Sequence, residues 1–330
     1  MKRKNLWVWV GFFCFVLVLT VMVPGTGLCA GKVYKIGIAQ FLSVPPLDQA
    51  RKGFIDALAK EGFVEGKNVE YDVDNPETDM SVTATIAKKF ASQKKDLILA
   101  ITTPMSQACV AATEDTNIPI IFSCVTDPLA AGIVNSWEKP GGRVTGASDW
   151  MDVGEQVKLG LEITPGVKKL GTIYNAGETN SRVQVKELKK AAAKLGFKVV
   201  EANASSSADV MAAAKSLMGR VDAIWLPTDN VVVGSLEAVV KVCEDNKVPL
   251  FGSDVHQVKR GSIVSPGLDF YQVGMVTGRM AARVLKGESP GNIPVAKGVM
   301  GQLWVNPGAA ERMGVKIPQS LLKKATRIIR

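Results

Sequence analysis

The sequence predicts an α/β protein of two doubly wound parallel-sheet lobes joined by a hinge. Three observations point to it. Short apolar strands alternate with amphipathic helices from residue 33 onward, the alternation begins afresh near residue 168, and clusters of hydroxyl, amide and carboxylate side chains follow strand after strand.

The elements read in order as follows. Val33 to Gln40 is a strand rich in β-branched residues. Gln49 to Lys60 is a helix with Phe54, Ile55 and Leu58 on one face, stopped by Gly62. Asn68 to Asp74 is a strand, and Val82, Ile86 and Phe90 recur every four residues on the next helix. Asp96 to Thr102 is a nearly continuous apolar run, as expected of a strand covered on both faces. Ile118 to Val125 and Val144 to Asp149 complete the first set, the latter after a Pro-Gly-Gly turn at 140–142. In the second set Lys168 to Asn175 is a strand. The helix through Val185, Leu188, Ala192 and Leu195 follows and closes at Gly196. Lys198 to Asn203 is a strand, Met211, Ala214 and Met218 share a helix, and Ala223 to Asn230 is a strand. Leu236 to Asn246 is a helix and Pro249 to Asp254 a strand. A last helix runs from about Tyr271 to Leu285, with Val273, Val276, Met280 and Val284 on one face.

The chain is long enough, at 330 residues, for two domains with buried cores. With 47% hydrophobic and 22% charged residues it has the balance of a globular protein. Residues 1–30 stand apart. Lys2, Arg3 and Lys4 precede an apolar stretch from Leu6 to Val23, then a small-residue zone ending Cys29-Ala30-Gly31, the pattern of a secretory signal cleaved after Ala30. An uncleaved membrane anchor and a lipid-modified Cys29 are the alternative readings. Bulky Leu28 counts against the second. Removing Lys2, Arg3 and Lys4 from a formal +9 leaves a mature chain of +6, with its charge scattered. The basic tail Lys323, Lys324, Arg327 and Arg330 reads as a solvated terminal helix rather than a nucleic-acid face. Cys109, Cys124 and Cys243 remain after cleavage. They are odd in number and without metal-ligand spacing, and they read as buried free thiols, a single disulfide being the alternative.

Open parallel sheets bind ligands beyond the carboxyl ends of their strands, and two lobes can turn those ends toward one cleft. Thr103 and Ser106 open a helix, where free backbone N–H groups and the dipole attract a carboxylate, although either residue also serves as a plain cap. Ser123, Thr126 and Asp127 follow the fourth strand. In the second lobe Asn175, Asn180 and Ser181 follow one strand, and Thr228, Asp229 and Asn230 another. Asp254 and Asp269 are the candidate acids for an ammonium group, and Trp150 the candidate cover for an apolar side chain, packing at the crossover being its alternative. A small polar solute needs such an array, because every hydrogen bond it made to water must be replaced.

The residues as a series resemble the ABC-transporter substrate-binding family that includes tryptophan- and tyrosine-binding members, on the type I periplasmic-binding-protein fold. The resemblance covers nearly the whole mature chain. It rests on VYKIGIAQ with Leu47-Asp48, FVEGKNVEYD, ITTPMSQA, FSCVTDPLAAGIV, IYNAGETNS, LPTDN and GLDFYQVG, in that order. It implies a ligand held between closing lobes, with its carboxylate on Thr103 and Ser106 together with Ser123 and Thr126. Asn175, Asn180, Ser181, Thr228, Asp229 and Asn230 would face it from the second lobe. It also implies several crossovers. The expected division is 31–148 for the N-terminal lobe, with 263–286 returning to it, and 149–262 with 287–330 for the C-terminal lobe. One departure lies at the cleft. The family's His-Pro pair before the Leu-Asp is absent from Phe41–Asp48, which bears on which side chain the cleft accepts.

An enzyme is the first rival reading. His256 is the only histidine, no G-x-S-x-G elbow occurs, and no His/Cys cluster offers metal ligands, so no catalysis and no cofactor are expected. A sugar-binding protein or a ligand sensor on the same fold is the closer rival. The expected function is therefore extracytoplasmic capture of a small polar solute, an amino acid first. The expected form is a monomer that hands its solute to an ABC permease.

Overall fold

The computed structural model describes residues 32–298 and 300–329. The expected signal segment, with Cys14 and Cys29, lies outside these residues. The first run of elements is β1 (Tyr34–Gln40), α1 (Pro45–Lys60), β2 (Val69–Asp74), α2 (Met80–Ser92), β3 (Leu97–Ile101), α3 (Thr103–Ala112), β4 (Ile120–Ser123) and β5 (Val144–Ser148). The second run is α4 (Val153–Ile163), β6 (Lys169–Tyr174), α5 (Thr179–Leu195), β7 (Lys198–Asn203), α6 (Val210–Leu217), β8 (Ala223–Trp225), α7 (Asn230–Gly234), α8 (Leu236–Asn246), β9 (Leu250–Phe251) and α9 (Val255–Lys259). The chain closes with β10 (Val264–Leu268), α10 (Phe270–Leu285), β11 (Ala296–Lys297), β12 (Met300–Val305), α11 (Pro307–Arg312), α12 (Gln319–Lys324) and β13 (Arg327–Ile328).

Two parallel sheets organise the molecule, in the orders β11-β5-β4-β3-β1-β2 and β7-β6-β8-β9. β3 lies inside the first, and all five of its side chains are buried, which explains its unbroken apolar run. Edge strand β2 is less covered, with Val69 buried and Glu70 and Val73 exposed. Each sheet has its own hydrophobic core. Phe54, Phe90 and Phe122 anchor the first, and Trp225, Phe251 and Leu188 the second. Because the pairings are parallel, the carboxyl ends of all strands in a sheet leave from one side.

The chain passes between the two cores three times. Met151 packs in the first and Val153 in the second, Val264 in the second and Leu268 in the first, Val295 in the first and Val305 in the second. The sequence division placed 287–330 with the second lobe. Here β11 pairs with β5 and Ile293 and Val295 stay in the first core, so that crossing comes after Lys297. A third, smaller sheet, β10-β12-β13, was not legible in the sequence, since β10 carries Pro266 and Gly267 and β13 is two residues long. α1 begins at Pro45, four residues before the expected start, because Pro45 and Pro46 fit a first turn whose N–H groups are unpaired anyway. The buried face of α6 is Val210, Ala213, Ala214 and Leu217, one position out of step with the expected Met211 face. Met211 is exposed.

α10 reaches the first core by lying directly on α1. A carbon placed at Gly274 would sit 2.0 Å from the Ala50 carbonyl oxygen, one at Gly53 2.1 Å from the Tyr271 oxygen, and one at Gly278 2.5 Å from the Phe54 oxygen. Three glycines therefore let the two backbones touch. Gly274→Val is expected to lower stability by about 2–4 kcal/mol in urea unfolding. Gly301→Ala, at a position with no neighbour within 4 Å, should stay within about 0.5 kcal/mol. Equal melting of the two variants would refute the close seam.

Candidate functional site

A cavity opens where the strand ends of both sheets meet. Leu42, Val44, Pro45, Pro46 and Leu47 follow β1, Thr102 and Thr103 follow β3, Cys124 and Thr126 follow β4, and Asp149 follows β5. From the second sheet come Asn180 after β6, then Thr228, Asp229, Asn230 and Val233 after β8. Asp254, His256, Gln257 and Arg260 follow β9, and Phe270 opens α10.

The first wall is set by hydrogen bonds to backbone. Thr102 N–H donates to the Ser123 carbonyl at 2.9 Å, continuing the β3–β4 ladder. The Thr102 carbonyl accepts from Ser106 N–H at 3.0 Å and Ser106 Oγ at 2.7 Å, which ties it to α3. Buried Gln40 donates to the Leu42 carbonyl at 2.9 Å and to Asp48 Oδ1 at 2.8 Å, fixing the apolar loop that ends β1. Ser148 Oγ holds the Thr126 carbonyl at 2.9 Å, and the Thr126 side chain bonds to the Asp149 carboxylate.

The second wall rests on two buried acids that both cap α7, one of them also held by residues around α5. Glu178 precedes α5, yet its carboxylate accepts from the Asn230 side chain at 2.5 Å and from the N–H groups of Asn230 and Val231, at the start of α7. Asp229 caps α7 through Val232 N–H at 2.9 Å and accepts, both at 2.6 Å, from Ser181 Oγ in the first turn of α5 and from Asn175 N–H just after β6. Asn180 spends its amide hydrogens on Glu178 at 3.0 Å and the Thr228 carbonyl at 2.9 Å, leaving its oxygen unused.

The electrostatic balance is acidic. Burial raises Asp254 to about 7, opposed by the His256 N–H that bonds its Oδ1 at 2.7 Å, with neighbouring Asp149 adding to the rise. Burial likewise raises Asp149 to about 6. Glu178 rises to about 8 through burial and the charge of Asp229, and burial also raises Asp229. Arg260, the cation at the cavity, is engaged by both Glu237 oxygens at 2.7 Å and by the Val233 carbonyl at 2.6 Å. Burial lowers His256 to about 4, and its ring packs against Phe270 and Trp304. Among the described residues, six buried polar atoms bordering this cavity lack a partner: Thr102 Oγ1, Thr103 Oγ1, Asp149 Oδ1, Asn180 Oδ1, Thr228 Oγ1 and Asp254 Oδ2. No group of three or more His, Cys, Asp or Glu side chains is arranged there to hold a metal ion.

The structure brings Thr103, Thr126, Asn180, Thr228, Asp229, Asn230 and Asp254 together at the cavity. Ser106, Ser123, Asn175 and Ser181 stand behind it. Ser106 holds Thr102, Ser123 supplies a carbonyl to it, and Asn175 and Ser181 donate to Asp229. Asp127 instead caps the next turn, accepting from Leu129 and Ala130 N–H groups at 3.0 and 3.1 Å. Asp269 caps α10 through Gln272 N–H at 3.1 Å, so its carboxylate is occupied away from the cavity. Trp150 lies in a separate surface recess with Asp152, Lys158, Lys190 and Lys194. Its neighbour Asp149 faces the cavity instead, since successive residues leave a strand end on opposite sides. Sequence reasoning missed Thr102, Asp149, Gln257 and Arg260 as wall residues. The acid at the end of an apolar run was the available signal for Asp149. Cys109, Cys124 and Cys243 are buried free thiols, and burial pushes the first and last up to about 12.

A family model described as ABC transporter substrate binding protein matches residues 35–329. Over 264 residues the chain is 45% identical to the tyrosine-binding protein of Clostridioides difficile, covering 80% of this chain and 76% of that one. The crystal structure of an ABC domain in complex with L-Trp from Streptococcus pneumoniae superposes with a TM-score of 0.86 at 36% identity, covering 90% of this chain and all of that one. A ligand-free, open substrate-binding protein from Clostridium difficile, 40% identical, covers 90% of this chain and 99% of its own, and reaches only 0.67. A myo-inositol-bound solute-binding protein from Bacillus halodurans, 17% identical with a TM-score of 0.58, covers 82% of this chain and 94% of its own. It shares the fold alone.

The buried acids give the cavity a pH signature. The folded value of Asp254, about 7, lies above its ordinary 3.8, so the native state holds the proton more tightly. The cost of its charge is absent below about pH 4, grows as pH rises and is complete above about 7. Asp254→Asn removes that cost. The ligand-free variant should therefore gain in Tm over the parent between pH 5 and pH 8, most at pH 8. A Tm difference that stays flat or shrinks with rising pH would contradict the burial of that charge.

Proposed function

The chain belongs to the ABC transporter substrate-binding protein family, and from that premise we propose that its interlobe cavity captures a free α-amino acid with an aromatic side chain. The observation that carries this reading is the set of six unpartnered polar atoms around one cavity. An ammonium group brings three N–H donors, and Asp149 Oδ1, Asp254 Oδ2 and Asn180 Oδ1 are three unused acceptors. A carboxylate accepts from hydroxyls, and Thr102 and Thr103 offer two at the start of α3, with Thr228 a third from across the cleft. Leu42, Val44, Pro45, Pro46, Leu47, Val233 and Phe270 supply apolar surface for a ring. The relatives named for tyrosine and bound to L-Trp support an aromatic ligand. A sugar brings no cation for the two acids, and the sugar-type relative shares only the fold.

On this reading the protein acts by binding without chemistry. His256 is half-buried, with a lowered pKa, against the rings of Phe270 and Trp304, an environment suited to packing. The closer likeness to the tryptophan complex than to the open relative, at similar identity, supports a closed arrangement of lobes divided at the three crossings. Contacts from both lobes would favour that closed form by their differential affinity, and the closed form would dock on a permease. The chain would work as an exported monomer, its amino-terminal basic and apolar segment directing it outside the cytoplasm. Micromolar affinity corresponds to about −8 kcal/mol, within reach of several charge-assisted hydrogen bonds and one buried ring.

Thermal shift and calorimetry test the proposal directly. L-Tyrosine, L-tryptophan and L-phenylalanine are measured beside phenethylamine, 3-phenylpropionate, glucose and myo-inositol. An amino acid present at 100 times its Kd should add about 2.7 kcal/mol of stability. The analogues lacking either charged group should bind about 100-fold more weakly or worse, as should the amino acids to folded Asp254→Ala. Stabilisation by a sugar and by no amino acid would reject the reading.

A further inference from the structure

α3 follows a strand of the first sheet and α5 a strand of the second, and a side chain near the start of each meets the other. Gln107, half-buried in the second turn of α3, donates through Nε2 to the Ala131 carbonyl at 3.0 Å and to Thr179 Oγ1, at the first residue of α5, at 3.4 Å. Each partner is anchored in its own half of the molecule. Ala131 packs in the first core. Thr179 Oγ1 also accepts from Arg182 Nη2 at 2.9 Å, on a helix whose Leu188 and Ala192 lie in the second core. Arg182 Nη1 in turn donates to the Ala176 carbonyl at 2.7 Å. Neither Gln107 nor Thr179 lines the cavity. The two halves also approach at Leu42 and Gly234, where a carbon added to the glycine would lie 3.7 Å from Leu42 Cδ1, an ordinary contact distance.

We propose that Gln107 and Thr179 form a latch that holds the two lobes together from outside the ligand's reach, and so sets how firmly any bound solute is retained. A hydrogen bond made only when the lobes meet favours the closed form whether or not a ligand is present. Opening hands both side chains to water, so the bond's net contribution is modest. Its length and half-buried setting place it at the lower end for a neutral hydrogen bond, which corresponds to about a two- to fivefold change in the ratio of closed to open molecules. Apparent affinity scales with the fraction of molecules in the binding-competent form. The inference rests on the closed arrangement of lobes proposed above, and it makes Gln107 and Thr179 positioning residues rather than ligand contacts.

The test compares wild type with Gln107→Ala, Thr179→Val, Thr179→Ser and the double variant of Gln107→Ala with Thr179→Val. Closure is read without ligand by single-molecule FRET between dyes on Lys88→Cys in α2 and Lys215→Cys in α6, both exposed positions, while Cys109, Cys124 and Cys243 are buried. Binding is read as Kd and dissociation rate for L-tyrosine, L-tryptophan and L-phenylalanine. Gln107→Ala and Thr179→Val should each lower the closed-to-open ratio and raise Kd about two- to fivefold. The factor should be the same for every ligand and should appear in the dissociation rate, because release requires opening. The double variant should be no weaker than either single one, since both remove the same bond. Thr179→Ser keeps the hydroxyl and should bind as wild type does. A lower melting temperature with an unchanged FRET distribution would mark residues that only support their own helices, and would overturn the latch. Single effects that add in full, or a factor that differs between ligands, would overturn it too. A wild type that binds none of these amino acids would overturn the amino-acid reading, and the ligand-free FRET series would still decide the latch.

Discussion

Polar atoms sealed from water without partners are the constraint on which the site depends. A buried donor or acceptor left unpaired costs about 1–3 kcal/mol, more when charged. Six such atoms border one cavity, contributed by strand ends from both sheets. Parallel sheets concentrate them, because all their strands finish on one side, where the chain turns and helices begin. A solute whose groups match those atoms removes several penalties at once. A solute with the wrong groups leaves them in place.

The second wall shows how two buried carboxyl groups are accommodated side by side near the site. Glu178 and Asp229 are buried without a cation, yet each sits on the N–H groups at a helix start, and each reaches the other's helix. Helix N-termini favour negative charge. The exchange also locks α5 to α7, so that Asn180 and Asn230, which emerge from these two starts, are held in register with Asp229. Ser181 and Asn175 matter for that geometry rather than for contact with a ligand.

The first lobe is tied together by close backbone contacts. Gly53, Gly274 and Gly278 let α1 and α10 touch along their backbones, and Gln40 clamps the apolar loop between β1 and α1. Phe270 is delivered to the cavity by the same helix that forms this seam. The chain crosses between the two cores near 149–152, 265–269 and 298. Asp149 sits at the first of them and Asp254 on the opposite sheet. On the proposed reading, closure that brings these two carboxylates together would be opposed by their like charge until a cation lies between them.

The amino-acid sequence by itself determined the alternation of strands and helices, its restart near residue 168, and the polar strand tips, because these are local patterns of period and turn chemistry. Leu97–Ile101 and Leu236–Asn246 are legible in that way, and so is Asp254 as an acid following a strand. The tertiary structure alone decided which residue at each tip turns inward. A one-residue step separates Asp149, in the cavity, from Trp150, outside it. Ser106 spends its hydroxyl on a backbone carbonyl that no spacing reveals, and Asp269 is consumed by its own helix. The small β10-β12-β13 sheet and the return of 287–297 to the first core depend on partners far away in sequence. Contacts of that kind have no local period, so only the assembled chain specifies them.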